Sequence, residues 1–464
     1  MNDRKGFGSN FGFLMAAVGS AVGLGNIWGF PNKMGANGGF PFLILYLALA
    51  LCCGVIIMLG ELALGRKTGH GAVGAYQSIS KRFKWLGWLG IAAAALIFSF
   101  YSALGGYCLR YVVVNFGNLI GAEFGTNGVG GADVFQGLLS QPDVSIAFAL
   151  AFMLITMLVV MSGVGGGIER VCSVGMPALF FILIICIIRS CTLPGAADGL
   201  KYMFVPGWAV ANGIIDEAPG FWRVLTAAGG QMFFSLSLGA GVMITYGSYL
   251  DKKQDLGKSA MIIVGMDTVV ALMAGLCVIP GRFALDPNGA LGGPELLFIT
   301  MQNVFDKMGP AGPVFGILFY LLVFFAAISS SISMLEVIVA HFCDKAREKG
   351  KGDRRKLYSA IAVVICAALC ALVCADGMGS NHISPAELLG LAGAKLPGWS
   401  TSWLGLFDSV AEGLLMPLGA LLMCLMISWE LKPDTLRQEI LLNGENRPWV
   451  YDFFRLCVKY ITPL

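Results

Sequence analysis

Charged residues are scarce in this sequence. They make up 13% of its 464 residues, whereas a soluble globular domain has roughly 25%. Hydrophobic residues make up 57%, and mean hydropathy is +0.76. This balance excludes a soluble protein and predicts an all-α, polytopic membrane protein. The net charge of +3 is small, and no basic segment is interleaved with aromatic residues, so no nucleic-acid partner is expected.

Histidine is rarer still, and its three copies lie far apart, at positions 70, 341 and 382. No nucleophile–base set is recognisable, so we do not expect an enzyme. The 13 cysteines lie almost entirely in apolar segments, where Cys366, Cys370 and Cys374 recur on one helix face. They are interpreted as small packing residues. No Asn-x-Ser/Thr acceptor occurs, so nothing indicates a glycosylated cell-surface protein.

Long apolar segments dominate the chain. A helix needs about 20 mostly apolar residues to cross a bilayer, and eleven segments meet this requirement. Their approximate bounds are 11–36, 40–64, 86–117, 145–163, 168–190, 222–249, 259–280, 312–342, 357–375, 403–429 and 448–464. The lipid bilayer is therefore the expected partner of most of the surface.

Arginine and lysine are distributed unevenly between the connecting segments. If the N-terminus is cytoplasmic, 21 of them lie on the cytoplasmic side and seven on the outer side. Positively charged loops stay in the cytoplasm, so a cytoplasmic N-terminus is predicted. The first residues are polar, and no cleavable signal peptide is expected. We expect a multi-pass protein of the plasma membrane, of the prokaryotic inner-membrane type.

Two of the apolar segments are interrupted. The first breaks at SAVGLGN (20–26) and the sixth at SLSLGAG (235–241), five spans apart and therefore crossing in opposite directions. Matching breaks are typical of inverted-repeat transporters, whose unwound turns hold substrate and ions. One transmembrane domain, 1–464, is expected, with repeats at about 11–190 and 222–429 and an additional helix at 448–464. Close helix packing through G-x-x-x-G pairs is the alternative.

Five short motifs resemble those of one transporter family. They are GSAVGLGNIWGFP (19–31), NGG (37–39), GELALGR (60–66), GQMFFSLSLGAG (230–241) and FFAAISSSIS (324–333). In this order they resemble the neurotransmitter:sodium symporter family, in particular its bacterial amino-acid transporters, and the resemblance runs from about residue 4 to the end. It implies the LeuT fold, a 5+5 inverted repeat with broken helices 1 and 6. It also implies sodium-coupled uptake of an amino acid by alternating access.

The resemblance implies a substrate site at the two breaks. The amides of Leu24 and Gly25, at the positive end of a half-helix, would bind a carboxylate together with the hydroxyl of Tyr101. The substrate ammonium would be received by three backbone carbonyls, those of Ala21, Phe234 and Ser235. Gly23 stands where monoamine transporters have an aspartate, which argues for a substrate that brings its own carboxylate, an α-amino acid.

The side chain of the substrate would enter a pocket between the same helices. The resemblance implies that this pocket is lined by Ser20, Ile97, Tyr101, Phe234, Ser237, Ala240, Ser330 and Met334. Ala240 replaces a phenylalanine found in a leucine-carrying family member, which opens volume, and Met334 is adaptable. A bulky apolar or aromatic amino acid is therefore expected, unless neighbouring side chains refill the space.

Two sodium ions are implied, each held by hard oxygen ligands. The first would be bound by Ala21, Asn26, Ser235 and Asp267, with the substrate carboxylate as a further ligand. The second would be bound by Gly19, Val22, Ala326, Ser329 and Ser330. Serines in a membrane helix usually bond back to their own helix, but this serine run would face a broken helix.

Asp267 departs from the family pattern. Many relatives have asparagine there, and chloride-dependent members have a serine one turn later, where this chain has Ala271. A carboxylate within the membrane is costly and usually functional. Our hypothesis is that Asp267 supplies the negative charge that chloride supplies elsewhere, so that chloride is not required. Proton uptake by Asp267 after sodium leaves is a further possibility.

The outer gate also departs from the family. Its arginine is replaced by Gly29, and the aspartate with which it pairs in the tenth span is replaced by Ala411. Joint loss is physically sensible because one buried charge left alone costs several kcal/mol. Lys33 and Asp408 both lie one turn further outward, so a displaced Lys33–Asp408 gate is our hypothesis. The alternative is that both are solvated vestibule charges.

The inner gate follows the family. Arg4 and Asp344 match its cytoplasmic ion pair, with Phe7 and Tyr249 close by. In the fifth span, two further positions, Gly167 and Pro177, frame nine residues that the resemblance implies can unwind and admit water to the second sodium.

Glu61 is a further carboxylate within an apolar span. The resemblance assigns it a structural role, bracing the broken sixth helix.

Taken together, the sequence predicts a sodium-coupled amino-acid symporter, monomeric or weakly dimeric. A transporter of another small carboxylate or of a betaine is the nearest alternative. A channel or sensor that binds without turnover is an alternative from another class.

Overall fold

The computed structural model describes residues 6–288, 293–352, 354–391, 398–432, 434–441 and 448–463. Within these ranges the protein is helical and contains no β-strand. The first membrane-embedded helices are α1 (Asn10–Ala21), α2 (Gly25–Ala36), α3 (Phe40–Thr68), α4 (Leu86–Ile120), α5 (Pro142–Met161) and α6 (Val164–Cys191). They are followed by α7 (Phe221–Ser235), α8 (Val242–Gly247), α9 (Leu256–Leu285), α10 (Gly309–Glu348), α11 (Arg355–Gly379), α12 (Trp403–Glu430) and α13 (Pro448–Leu456).

Shorter helices lie in the connecting segments. They are Ala72–Ile79, Gly131–Leu139, Ala196–Phe204, Trp208–Ala211, Met301–Asp306, Pro385–Leu388 and Arg437–Ile440. Single π-helical turns occur at Gly25–Gly29, Ala50–Gly54, Val164–Ile168, Leu296–Thr300, Ala411–Leu415, Met426–Glu430 and Cys457–Ile461. Such turns are rare in proteins, and those that do occur are often found at functional sites.

Several helices begin at a side-chain cap or end at a left-handed glycine. The hydroxyl of Ser9 accepts the amide of Gly12 at the start of α1 (2.9 Å), and Asp255 caps α9 in the same way through Lys258 (2.9 Å). Gly69 and Gly121 end α3 and α4 in the left-handed conformation, which suits glycine.

Eight of the described helices are long and apolar enough to cross a membrane, or nine spans if the bent α1–α2 pair is counted as one. The other two predicted spans, 222–249 and 448–464, do not reach that length as single helices. In the first, α7 has 15 residues and α8 has six, separated by the break. A 15-residue helix is about 22 Å long, which is short of the hydrocarbon core.

Burial separates a central helix from a lipid-facing periphery. In α4, 78% of the most apolar stretch is buried inside the protein, against 28% in α6 and 33% in α5 and α11. Large apolar side chains point outward from α6 and α11, with Val174 and Val364 both 70% exposed. The outer helices therefore present the surface that a bilayer requires, while α4 carries the predicted substrate tyrosine in the centre.

Candidate functional site

The first helix is broken where the glycine pattern predicts. Helices α1 and α2 are bent by 43° across Val22–Leu24. The amide of Leu24, in that break, lies 2.7 Å from the hydroxyl oxygen of Tyr101 on α4. Since α2 starts at the next residue, the positive end of its dipole faces the same point. The break therefore presents hydrogen-bond donors suited to a carboxylate.

The sixth predicted span, which forms α7 and α8, is broken in the same manner. Between α7 and α8, Ser237, Gly239 and Gly241 have φ values of 53°, 79° and 74°, in the left-handed region. The amide of Gly239 donates to the buried carboxylate of Glu61 on α3 at 2.6 Å. This contact satisfies a donor that a broken helix leaves open within a membrane. It agrees with the bracing role expected of Glu61.

The two breaks meet each other. A Cβ on Gly25 would lie 3.0 Å from the ring of Phe234 and 3.3 Å from the Cα of Ser235. The hydroxyl of Ser237 donates to the carbonyl of Ser20 at 3.2 Å. The start of α2 therefore packs closely against the end of α7 at position 25, where glycine leaves room for the contact.

A side chain at position 23 is excluded for a similar reason. A Cβ on Gly23 would collide with the hydroxyl groups of Ser330 and Tyr101. An aspartate cannot be accommodated there without displacing both groups.

The residues predicted for the substrate site lie on the elements that meet at the breaks. All of them are buried: Ser20, Ala21, Gly23, Leu24, Gly25, Ile97, Tyr101, Phe234, Ser235, Ser237, Ala240, Ser330 and Met334. The backbone of Ala240 packs on α4, where a Cβ on Gly90 would lie 3.1 Å from its carbonyl. Ser20 also donates to the hydroxyl of Ser333 at 2.7 Å, a partner that the sequence did not indicate.

Asp267 lies at the centre of a buried polar cluster. The side-chain amide of Asn26 donates to its carboxylate at 2.8 Å, and the hydroxyl of Ser235 does so at 2.9 Å. Ala21, also predicted for the first sodium, is the last residue of α1, where helix carbonyls lack partners within the helix. The hydroxyl of Tyr46 on α3 adds a further bond at 3.2 Å. Sequence reasoning missed Tyr46, because nothing in an apolar span marks which tyrosine faces a carboxylate.

A second oxygen cluster joins α10 to α1. The hydroxyl of Ser330 lies 3.3 Å from the carbonyl of Gly19 and 3.5 Å from that of Val22. The hydroxyl of Ser329 lies 3.5 Å from the carbonyl of Val22 and 3.0 Å from that of Ala326. All five residues predicted for the second sodium therefore come together. Hydroxyl and carbonyl oxygens form the kind of donor set that a hard monovalent cation requires.

The outer ion pair differs from the predicted one. Lys33 pairs with Glu412, one turn beyond the predicted partner Asp408 on α12. Asp408 lies within electrostatic reach of both. The predicted Lys33–Asp408 pair is thus corrected. The extra turn matters because the pair lies beside Gly230 of α7, where a Cβ would be 2.8 Å from Glu412 and 3.7 Å from Lys33.

Gln231 lies directly beside Gly29. A Cβ on Gly29 would lie 3.0 Å from the side-chain oxygen of Gln231. The amide nitrogen of Gln231 donates to the carbonyl of Gly25 at 2.6 Å. Gln231 therefore occupies the space beside the first break that a larger residue at 29 would need.

Near the start of α1, the structure contains a buried network that the sequence did not reveal. The hydroxyl of Tyr249 donates to Glu336 at 2.5 Å, and Arg355 binds the same carboxylate through two nitrogens at 2.5 and 2.9 Å. Phe7 packs edge-on against Tyr249, with ring centroids 6.2 Å apart. The available signal was Glu336 itself, a carboxylate within an apolar span.

The predicted inner pair is only partly visible. Arg4 lies outside the described residues, and Asp344 accepts the amide of Gly71 at 3.1 Å. In α6, the segment between Gly167 and Pro177 is helical, with Pro177 inside the α-helical part. The predicted weak point is therefore folded in this structure.

The chain matches known proteins along nearly its whole length. A profile of the sodium:neurotransmitter symporter family matches residues 4–127 and 132–464. The chain belongs to this family. It is 37% identical to the uncharacterized sodium-dependent transporter YhdH of Bacillus subtilis over 466 residues, covering 98% of this chain and 94% of that protein. It is 30% identical to an uncharacterized sodium-dependent transporter of Methanocaldococcus jannaschii, covering 94% and 84% of the two chains.

A solved structure shares the fold. The crystal structure of MhsT in complex with L-phenylalanine superimposes with a TM-score of 0.83 at 34% identity, covering 99% of this chain and 97% of that one. The predicted all-helical, LeuT-type membrane fold is confirmed. The protein is a sodium-dependent transporter and not an enzyme, as predicted.

Proposed function

We propose that this protein is a sodium-coupled symporter of an α-amino acid with a bulky apolar or aromatic side chain. The observation that carries the proposal is the Leu24 amide beside the Tyr101 hydroxyl, at the positive end of α2 and in contact with the second break. This arrangement suits a carboxylate. Since residue 23 is a glycine, the protein has no acidic side chain there that could take the place of the substrate carboxylate.

Two comparisons support this substrate class. MhsT was crystallised with L-phenylalanine. A Drosophila ananassae protein that is 26% identical over 74% of this chain is called sodium-dependent nutrient amino acid transporter 1. The small Ala240 at the pocket is consistent with a large side chain.

A thermal-shift panel tests the proposal. Purified protein is unfolded in the presence of each of the twenty amino acids, once in sodium and once in potassium. We expect stabilisation by aromatic and large aliphatic amino acids in sodium only, since a bound ligand stabilises the folded state by mass action. Stabilisation by a betaine or a carboxylate without an α-amino group would contradict the amino-acid assignment. Accumulation against a gradient in vesicles separates transport from a channel or sensor.

We propose two sodium sites. The first consists of Ala21, Asn26, Ser235 and Asp267 together with the substrate carboxylate, which would couple ion to substrate directly. The second consists of Gly19, Val22, Ala326, Ser329 and Ser330. A stoichiometry of two ions per substrate in vesicles, reduced to one by Ser329→Ala with Ser330→Ala, would support the assignment. An unchanged ratio would contradict it.

Chloride independence is part of the same proposal. The carboxylate of Asp267 lies among Asn26, Ser235 and Tyr46 and would supply the local negative charge. Uptake should be unchanged when gluconate replaces chloride. In Asp267→Asn, we expect either loss of sodium-dependent uptake or a new requirement for chloride. Collapse of wild-type uptake in gluconate would refute the idea.

We propose that Lys33 and Glu412, with Asp408 nearby, act as the outer gate. The pair bridges α2 and α12 across Gly230 of α7, the position of a closing contact above the first break. Lys33→Glu and Glu412→Lys should each reduce uptake, and the double swap should restore part of it. Failure of the double swap to restore any activity would favour ordinary vestibule charges.

Several broader assignments complete the proposal. They are a cytoplasmic N-terminus, two repeats at about 11–190 and 222–429, an inner gate of Arg4 and Asp344, residence in the bacterial cell membrane, and a monomeric or weakly dimeric state. Cysteine labelling of the segments between the spans from either side of the membrane tests the orientation.

A further inference from the structure

One carboxylate fastens the start of α1 to the start of α6. Glu169, in the first α-helical turn after the π-helical turn of α6, accepts the amide of Gly8 at 2.6 Å through Oε2. It also accepts the hydroxyl of Ser9 at 2.8 Å through Oε1. Hydrogen bonds to an ionised acceptor are stronger than neutral ones. Two residues that precede α1 are thus held by a single side chain of a different helix.

The contact extends into the first turn of α1. The hydroxyl of Ser9 that donates to Glu169 also accepts the amide of Gly12 as the N-cap. A Cβ on Gly12 would collide with the carboxyl group of Glu169. The carboxylate therefore lies directly on the helix surface at the positive end of the α1 dipole, where a negative charge is favourable.

The same two helices touch again next to the proposed second sodium site. A Cβ on Gly19 would lie 3.3 Å from the sulfur of Met176. On each helix, the second contact lies seven residues after the first: Gly19 follows Gly12 on α1, and Met176 follows Glu169 on α6. Seven residues are close to two helical turns, or about 10 Å. The helices therefore run side by side in the same direction, and Glu169 holds them together two turns from the oxygen cluster.

The backbone around Glu169 is suited to local opening. The preceding turn, Val164–Ile168, is π-helical, and Gly163 before it has a φ of 85°. Three successive glycines, Gly165 to Gly167, form most of that turn. Glycine and π-helical geometry both make a helix end less stable than regular α-helix. The tie from Glu169 to α1 is therefore a contact that resists opening at this end.

We propose that Glu169 is a positioning residue for the second sodium site. Its carboxylate latches the inner half of α1 against α6, and this latch must open before α1 can separate from Met176 and expose the ion to the inner face. The proposal rests on the assignment of the second sodium to Gly19, Val22, Ala326, Ser329 and Ser330.

Hydrogen–deuterium exchange on the full-length protein tests the latch. Backbone exchange is measured for residues 8–21 and 164–177 across a sodium titration without amino acid, in wild type, Glu169→Gln and Glu169→Ala. Glutamine keeps an acceptor without the charge, and alanine removes both acceptors. We expect exchange to quicken by a few-fold in Glu169→Gln and by about tenfold or more in Glu169→Ala. The sodium concentration for half-maximal protection should rise in the same order.

A matched control separates the latch from a general loss of stability. Glu348, at the end of α10, is an exposed glutamate, and Glu348→Gln should exchange as wild type does. Global unfolding temperatures of all variants are measured in potassium. A graded change in local exchange with little change in unfolding temperature supports a positioning role, whereas equal loss of both in every segment indicates a structural role and overturns the proposal.

Two further outcomes are distinguishable. If Glu169→Ala exchanges like wild type in these segments, the latch is refuted. If sodium protects neither segment in the wild-type protein, the placement of the second sodium fails. In that case, a difference between wild type and Glu169→Ala in potassium still reports whether the latch exists.

Discussion

The buried ion pair between Glu336 and Arg355 permits a quantitative prediction. The Glu336 side chain is 0% exposed and that of Arg355 is 12% exposed, so both charges are removed from solvent. Besides Arg355, the Glu336 carboxylate has a bond from the hydroxyl of Tyr249. Arg355→Met retains the apolar stem of the side chain and removes the cation. It leaves a buried carboxylate beside the neutral Tyr249 donor.

The expected cost follows from that environment. Breaking a buried pair by removing one partner destabilises a protein by about 3–5 kcal/mol. Replacing both charges is far less harmful, because no uncompensated charge is left behind. In Glu336→Gln with Arg355→Met, the glutamine oxygen can still accept the Tyr249 hydroxyl. We expect this double variant to be more stable than Arg355→Met alone.

Chemical unfolding of the purified variants in detergent, arranged as a double-mutant cycle, is the appropriate assay. The exposed pair between Arg437 and Asp434, with side chains 48% and 77% exposed, serves as a matched control. Arg437→Met should cost less than about 1 kcal/mol, as exposed ion pairs do. The reasoning is refuted if Arg355→Met costs no more than the control, or if the double variant loses the full sum of the two single losses.

Two further variants probe the breaks. Gly23→Ala places a Cβ against the hydroxyls of Ser330 and Tyr101, so amino-acid affinity in sodium should fall by roughly tenfold or more, since overpacking costs about 1–3 kcal/mol; calorimetry measures it. Glu61→Ala removes the acceptor of the Gly239 amide and should lower unfolding stability by about 1–3 kcal/mol, whereas Glu61→Gln, which keeps an acceptor, should lose less.

Controls exist for both variants. A Cβ on Gly137 would meet no heavy atom within 4 Å, so Gly137→Ala should bind amino acid as wild type does. Equal affinity of Gly23→Ala and wild type would contradict the packing described at the first break. Equal stability of the alanine and glutamine variants at position 61 would show that the bond to the sixth-helix break contributes nothing.

The positions of the breaks could be predicted because glycine and polar residues within an apolar span have few stable alternatives. An unwound turn in a membrane must be satisfied by protein groups, which makes Ser20–Asn26 and Ser235–Gly241 recognisable without coordinates. The residues of the oxygen clusters at Asp267 and Ser330 were named from the family resemblance, and their binding of sodium stays a prediction. Tyr46 was missed, because a tyrosine in an apolar span gives no sign of its orientation.

The outer pair shows where such prediction ends. Lys33 has two acidic candidates on α12, Asp408 and Glu412, one turn apart on the same face. Helical spacing alone cannot choose between them. The choice of Glu412 depends on how α2, α7 and α12 pack, and in particular on the space left by Gly230. Likewise, the tie from Glu169 to Ser9 joins residues 160 positions apart.

The amino-acid sequence by itself determined the membrane class, the apolar segments and the two broken helices. Each of these follows from local composition and from the requirement that backbone polar groups be satisfied in lipid. Only the tertiary structure decided which charges pair, which tyrosine meets Asp267 and which carboxylate accepts hydrogen bonds from the start of α1. Those choices depend on distances of a few ångströms between helices that are far apart in the chain, and packing of whole helices sets such distances.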